Sequence, residues 1–292
     1  MGKYTIKDLE RLSGVKAHTI RIWEKRHSIV KPSRTDTNIR FYSDDDLKKI
    51  INVSVLNNNG MRISQIAGLT SADMNAQVRA IGQSGVDSTV HIDQMIVAMI
   101  DIDEARFEKI LNTLIIQMGF EETITSVVYP FLHKIGILWQ TENITPAHEH
   151  FISNLIRQKL FVAVDGLPFP GPEARVVILF LPEGELHEIA LLFSHYLARK
   201  YGYRSYYLGQ SVPHKDLATI VAQHKAQLLI TCITSPMSKE VTKYLSLLSR
   251  DFPRCTILVS GIQLAAVGKM PRNIISIASA GDLKAHLTAK QN

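Results

Sequence analysis

Along this chain the spacing of hydrophobic positions changes character twice, and the changes divide it into three parts. In the first part Ile6, Leu9 and Leu12 recur at three-residue intervals, which puts them on one face of a short helix. Ser13-Gly14 breaks that helix, Val15 anchors the next, and Lys16–Arg26 reads as a second helix. Pro32 and the polar stretch Thr35–Asn38 interrupt the pattern before Arg40-Phe41-Tyr42. Asp44–Asp46 then open another helix, where carboxylates favour the positive end of the helix dipole. From about Ser71 to Asp165 the pattern is helix after helix. Ile92–Ile102, Glu104–Met118 and Glu121–Trp139 carry apolar residues at three- and four-residue spacings. Thr145-Pro146 starts a fourth, with Thr as N-cap and Pro in the first turn, running through Phe151, Leu155, Leu160 and Val164. Helices of this length and number predict a bundle.

Three prolines and two glycines within Gly166–Pro172 cannot continue a helix and mark a linker. Beyond it the period alternates. Val176–Leu181 is a continuous apolar run of the kind found in buried parallel strands. A helix over His187–Lys200, a strand over Arg204–Leu208, a helix over Pro213–His224 and a strand over Gln227–Ile233 follow. A helix over Ser238–Ser249, strands over Thr256–Val259 and Ile274–Ile277, and a helix over Ala280–Ala289 complete the series. Repeated β-α alternation means a doubly wound parallel sheet, which binds ligands at the carboxyl ends of its strands. The expected chain is multidomain. It has an all-α winged helix-turn-helix over residues 1–70, a four-helix bundle over 76–166, and an α/β doubly wound, Rossmann-like domain over 174–292.

Composition narrows the function classes. At 292 residues and 46% hydrophobic content, each part can bury a core. The two cysteines, Cys232 and Cys255, lie far apart inside apolar runs, the pattern of buried thiols in a reducing compartment. There is no N-terminal apolar leader and no apolar stretch of membrane-spanning length, so the expectation is a cytoplasmic protein with no membrane partner. Residues 1–50 hold 12 Lys and Arg against 7 Asp and Glu, a net of +5 out of the chain's +6. Such a concentrated basic region is the electrostatic footprint of a polyanion, and double-stranded DNA is the expected partner. No nucleophile–base pair, phosphate-binding glycine loop or metal cluster is visible, and the chain does not read as an enzyme.

The second helix would present Lys16, His18, Thr19 and Arg21 near its N-terminus, where a recognition helix enters the major groove. Arg40 would meet a phosphate from the wing and Tyr42 would donate to the DNA backbone. Thr5-Ile6, Leu12-Ser13-Gly14-Val15, Thr19-Ile-Arg-Ile-Trp-Glu24 and Asn38-Ile-Arg-Phe-Tyr-Ser43 together resemble the MerR family of transcriptional regulators. The resemblance covers about seventy residues in the family's order, and it implies a homo-oligomer, built on a dimer, bound to a near-palindromic operator.

The C-terminal half carries a second resemblance. Glu185-Leu-His187, just past the first strand of the α/β domain, is similar to the cobalamin-binding signature D/E-x-H-x-x-G of methionine synthase and the mutases. That resemblance implies His187 as the lower cobalt ligand and Glu185 as the acceptor holding its other ring nitrogen. Ser235-Pro-Met237 matches the family's S-x-L, and Ser260-Gly261 its G-G, positions that leave room for the nucleotide tail. In the bundle, Trp139 followed after nine residues by Glu149-His150 resembles the light-sensing MerR-type repressors of the CarH/LitR group. That group carries adenosylcobalamin, and the match implies Trp139 over the adenosyl group and Glu149, with His150, at its ribose. Three positions depart from these patterns: Ala190 stands where Gly is usual, Ser260 replaces the first Gly, and Gln140 stands where a photoproduct-ligating His follows the Trp.

The expected function is a repressor whose assembly, as dimer or tetramer, and operator binding answer to adenosylcobalamin and light. The departures leave open a MerR-type regulator that senses another ligand or a protein. A corrinoid carrier or enzyme would also join a helical bundle to a cobalamin domain, but has no use for a DNA-binding head.

Overall fold

The computed structural model describes residues 3–35, 38–84, 88–139, 144–236 and 240–289, apart from the side chains of 82–84 and 137–139. The chain divides into two compact units, Met1–Leu155 and Ile156–Asn292.

The first unit begins with α1 (Ile6–Ser13), closed at its start by a capping box between Thr5 and Asp8. Gly14, at φ 70°, ends it in the left-handed conformation and redirects the chain into α2 (Ala17–His27). A two-residue antiparallel wing follows, β1 (Ser33–Arg34) against β2 (Arg40–Phe41), and Tyr42 extends it through a bridge to Tyr4. Three consecutive aspartates start α3 (Asp44–Asn58), and Asp46 completes a capping box with Ser43. This helix is the hub of the head. Leu47, Ile50, Ile51 and Val53 are fully buried because α1 meets it, as do α4 (Ile63–Ile66) and α5 (Ser71–Ser84). The bundle helices are α6 (Ser88–Ile100), α7 (Glu104–Met118), α8 (Phe120–Thr123) and α9 (Tyr129–Trp139). The single helix expected over Glu121–Trp139 contains a π-helical turn, Ile124–Val128, between α8 and α9. Ile124, Val127 and Val128 of that turn lie in the core, as their three- and four-residue spacing predicts, but the wider turn itself is a local departure that the spacing does not reveal. The unit boundary falls inside α10 (Pro146–Asp165).

The second unit runs β3 (Val176–Pro182), α11 (Ile189–Lys200), β4 (Arg204–Val212), α12 (His214–His224), β5 (Leu228–Cys232), α13 (Val241–Asp251), β6 (Thr256–Ser260), a 3-10 turn (Ile262–Ala266), β7 (Ile274–Ser276) and α14 (Ala280–Thr288). The five strands are parallel in the order β4-β3-β5-β6-β7. On one face Ile178, Phe180, Leu229, Ile257 and Val259 meet Leu217, Val221, Leu245 and Leu248 of α12 and α13. The other face is covered by α11 and α14, tied together where the Tyr203 hydroxyl donates to the Leu287 carbonyl at 3.0 Å. The chain leaves β3 in one direction for β4 and returns on the other side for β5, so the crevice at their carboxyl ends is the topological switch point. Among the described residues no helix is long and apolar enough to cross a membrane.

Candidate functional site

In the head, α2 buries Ile20 and Trp23 and turns the opposite side outward. His18, Arg21, Ile22, Lys25 and Arg26 are exposed at three- and four-residue spacings, one stripe along the helix. Among the described residues Arg21, Lys25 and Arg26 have no ion-pair partner, so their charge is available to a ligand. Thr19 is half-buried, with its hydroxyl 3.3 Å from the His18 ring. Lys16 is exposed and only loosely held, 3.6 Å from Glu10. It is also the N-cap of α2 and makes no side-chain cap bond, and no acidic residue occupies the first turn. The open N–H groups there are suited to a phosphate oxygen.

Two predicted contacts sit differently from expectation. Tyr42 is fully buried beneath the wing, with its hydroxyl turned to Glu24 Oε2 at 3.4 Å. Burial pushes its phenol up to about 12, helped by the Glu24 charge. Arg40 is half-exposed and pairs with the other oxygen of the same glutamate at 3.3 Å. The sequence reading of Arg40 and Tyr42 as wing residues could not show that Glu24 of α2 meets both. Sequence reasoning passed over Lys25 and Arg26 on α2 and Arg34 on β1; their signal was their place on the same helical face and wing.

At the switch point the loop between β3 and α11 is organised by one side chain. Glu185 is buried at 3% exposure. Its Oε1 accepts from the backbone N–H groups of Leu186 and His187 at 2.9 and 3.0 Å and from His187 Nδ1 at 2.7 Å. Its Oε2 accepts from the N–H groups of Thr234 and Ser235 at 2.7 and 2.6 Å, and the Ser235 hydroxyl adds a bond to Oε1 at 3.1 Å. Burial alone would raise this carboxyl. The N–H donors of His187, Ser235 and Thr234 and the His187 ring outweigh it and hold the pKa at about 2. The loop after β3 and the loop after β5 are thereby stitched together. The same bonds keep residues 183–188 out of the helix expected from His187, and α11 begins only at Ile189. Gly184 N donates to the Ser211 hydroxyl, and Gln210 donates to the Leu186 carbonyl at 2.7 Å, pinning the loop to β4 as well.

A carboxylate can only accept, so the Nδ1 that faces Glu185 carries the ring proton. In the neutral ring Nε2 then carries the lone pair, on a side chain 62% exposed. That is the donor a cobalt ion needs, in a fixed tautomer with a carboxylate behind it. Leu186 and Ile262, on the loops leaving β3 and β6, are 59% and 72% exposed. Gly261 stands at φ 113°, and a Cβ there would fall 2.2 Å from the Ile233 carbonyl oxygen. Its lack of a side chain thus serves the close approach of the β6 loop to the end of β5. Ser260 ends β6, half-buried, and its carbonyl accepts from Ile233 N at 2.8 Å. Ala190 lies in the first turn of α11, half-buried, and its carbonyl accepts from Ser194.

In the first unit, Glu149 and His150 open α10, with the His150 ring 2.9 Å from the Glu149 carboxylate and both accessible. Trp139 is the last residue of α9, and its side chain falls outside the described part of the structure, as do Gln140 and Met237. A cavity of about 720 Å³ lies on the α12–α13 side, lined by His214, Tyr244, Leu247 and Arg250 among others, and by none of the predicted cofactor residues. The residues that sequence reasoning missed at the ligand loop are Glu188, Arg157 and Tyr207, which meet behind His187 from distant parts of the chain.

Comparison with known proteins finds likeness in the head, in the bundle helices and along most of the chain. The MerR HTH family regulatory proteins match residues 4–73, and a B12 binding domain family matches residues 91–163. The HTH-type transcriptional repressor CarH of Myxococcus xanthus is 28% identical over 259 residues, covering 86% of each chain. The HTH-type transcriptional repressor CarA of the same organism is 26% identical over 212 residues, covering 71% of this chain and 68% of its own. Among solved structures, the monomethylamine corrinoid protein of Methanosarcina barkeri superposes with a TM-score of 0.53 at 14% identity, over 65% of this chain and 92% of its own. At that identity the likeness is one of fold.

Proposed function

We propose, from the premise that this chain is a MerR-type DNA-binding regulator with a B12-binding domain, that it is a repressor whose hold on its operator depends on adenosylcobalamin. The observation that carries the reading is the His187–Glu185 pair, an exposed ring whose tautomer is set by a buried carboxylate, on the same chain as a basic recognition helix. His187 Nε2 would ligate the cobalt. Glu185 keeps the proton on Nδ1 and holds the loop after β5 alongside, with Ser235, Met237, Ser260 and Gly261 as the tail-side residues. When bound, adenosylcobalamin would supply a cobalt–carbon bond that light can break.

On the bundle side, Trp139 offers a flat apolar indole to the adenosyl group, and Glu149, with His150, can accept from the ribose hydroxyls. These contacts exist only while that group is attached, so they would favour one quaternary state over another. On the DNA side, Lys16, His18, Thr19 and Arg21 would contact the operator, with Lys25, Arg26 and the wing's Arg34 and Arg40 reaching phosphates. The assembled form would be a dimer or tetramer. A DNA partner and buried, unpaired thiols favour a cytoplasmic setting. Gln140, in place of a His that could hold cobalt after illumination, favours a short-lived illuminated form.

The test is an absorbance spectrum of the protein mixed with adenosylcobalamin in the dark and desalted, followed by light scattering after size exclusion in the dark and after illumination. Retained cobalamin and a larger dark mass, both reduced in Trp139→Ala, are expected. Retained cobalamin with equal masses in all conditions overturns the adenosyl-dependent switch. No retained cobalamin overturns the cofactor reading and leaves the regulator that senses another ligand, the reading favoured by Ala190 at the start of α11.

A further inference from the structure

Behind the His187 loop lies a second cluster of polar and aromatic groups, which cobalt ligation does not itself use. Glu188 follows the predicted ligand directly and is only 5% exposed. The Arg157 guanidinium stands 2.5 Å from its Oε1, and the Tyr207 hydroxyl donates to its Oε2 at 2.5 Å. His195 lies flat on the Tyr207 ring, centroids 5.2 Å apart and 8° from parallel, and Phe161 meets that ring edge-on at 6.4 Å. The members come from four elements: Arg157 and Phe161 from α10, Glu188 from the ligand loop, His195 from α11 and Tyr207 from β4. Glu188 also starts α11, since its carbonyl accepts from Leu192 N at 2.8 Å.

Burial, with the nearby Arg199 charge, pushes the His195 ring down to about 4, so it stays neutral. Burial and Glu188 push the Tyr207 phenol well above its usual range. Within this cluster the Glu188 charge is therefore met by Arg157 alone. A carboxylate this deep is costly without its cation, and removing one partner of such a pair costs far more than the pair contributes. Without Arg157, Glu188 either takes up a proton or turns toward solvent, and in both cases the loop residue next to His187 loses its tie to α10.

We propose that Arg157, acting through Glu188, is a positioning residue for His187, clamping the C-terminal half of α10 to the ligand loop so that the order of the loop and the docking of α10 rise and fall together. The proposal rests on His187 being the cobalt ligand, but the clamp itself can be tested without cofactor. In the full-length apoprotein, hydrogen exchange should quicken about tenfold or more in both residues 183–188 and residues 156–165 in Arg157→Ala and in Glu188→Ala. The double variant should be no worse than either single change, because the two residues act as one unit. Arg157→Lys keeps the charge and should restore much of the protection.

The second arm is electron paramagnetic resonance of the cobalt(II) cobalamin complex. Wild type should show the nitrogen splitting of a protein ligand, Arg157→Ala should lose a large part of it, and Arg157→Lys should regain it. Unchanged exchange in both segments, or an unchanged nitrogen splitting in Arg157→Ala, overturns the proposal. Fast exchange spread evenly from β3 to β7 also overturns it, since Arg157 would then be a residue of general stability. If wild type itself shows no protein nitrogen, the cobalt-ligand reading falls, and with it this role for Arg157, whatever the exchange of the two segments.

Discussion

The recognition helix and the His187 loop both offer side chains to solvent, yet they hold them in opposite ways. On α2, Arg21, Lys25 and Arg26 stand free of ion pairs among the described residues, on a helix whose only fixed face is its buried one. In the loop, a single exposed ring is backed by a carboxylate with six hydrogen-bond contacts, three within its own loop and three to the loop after β5. The difference fits what each is proposed to bind. A phosphate charge is felt over about 8–10 Å at ordinary salt, so a long flexible cation can find it. A metal ion accepts a lone pair only along its direction and at bonding distance, so the donor's tautomer and position must be set in advance.

The strongest way to break this contrast is to remove the organiser of the loop. Glu185→Ala strands four backbone N–H groups, and unsatisfied buried groups cost about 1–3 kcal/mol each. We expect the second unit to lose about 3 kcal/mol or more in denaturant unfolding, and cobalamin affinity to fall roughly 10–100-fold in a spectroscopic titration. Equal affinity in the variant would mean that His187 needs no preset tautomer. Acid sharpens the same point. The folded pKa of Glu185 is depressed from 4.5 to about 2. Its contribution is therefore present above pH 4.5 and is lost as the pH falls from there through about 2. Glu185→Gln should remove that part of the acid dependence, which unfolding curves across the window would report.

Next in size is Gly261→Ala. The added methyl meets the Ile233 carbonyl oxygen in a backbone conformation that side chains disfavour, and about 2–3 kcal/mol of stability should be lost. A thermal midpoint equal to wild type would show that the close approach of the two loops is dispensable. On the DNA side the effects should be smaller and of a different kind. Arg21→Ala should weaken operator binding and reduce the slope of log K against log salt by about 0.9, without changing stability by more than about 0.5 kcal/mol. Titrations at several salt concentrations read both numbers. Tyr42→Phe should do least. Its hydroxyl faces Glu24 rather than a phosphate, so stability should shift by under about 1 kcal/mol and the salt slope not at all. A change in slope would return Tyr42 to the DNA-contacting set.

Much of this was legible along the chain. The strands of the parallel sheet, the end of α10 at Asp165, the break at Gly14 and the helix start at Asp44 all follow from local patterns, and the observed elements lie close to the expected ones, while the division into units falls inside α10 rather than at the linker expected after it. The resemblance carried by E-x-H implied Glu185 beside the His187 ring, and the two meet at 2.7 Å. It gave no hint of Thr234 and Ser235, which reach the same carboxylate from about fifty residues away. Nor did it point to Glu188, whose neighbour in sequence drew the attention and whose partner lies on another helix.

What the sequence by itself determined was the set of elements, the placing of positive charge in the head, and the residue types available at each loop. Periodicity and capping are short-range properties, written in runs of four to ten residues. What only the tertiary structure decided was which of those side chains remain free to act. Tyr42 and Arg40 face one glutamate across the wing, a π turn interrupts the helix expected over Glu121–Trp139, and Arg157 closes on Glu188. Each outcome depends on which groups meet when distant elements pack. A polar side chain taken out of water must find a partner there, and the partner is supplied by the fold.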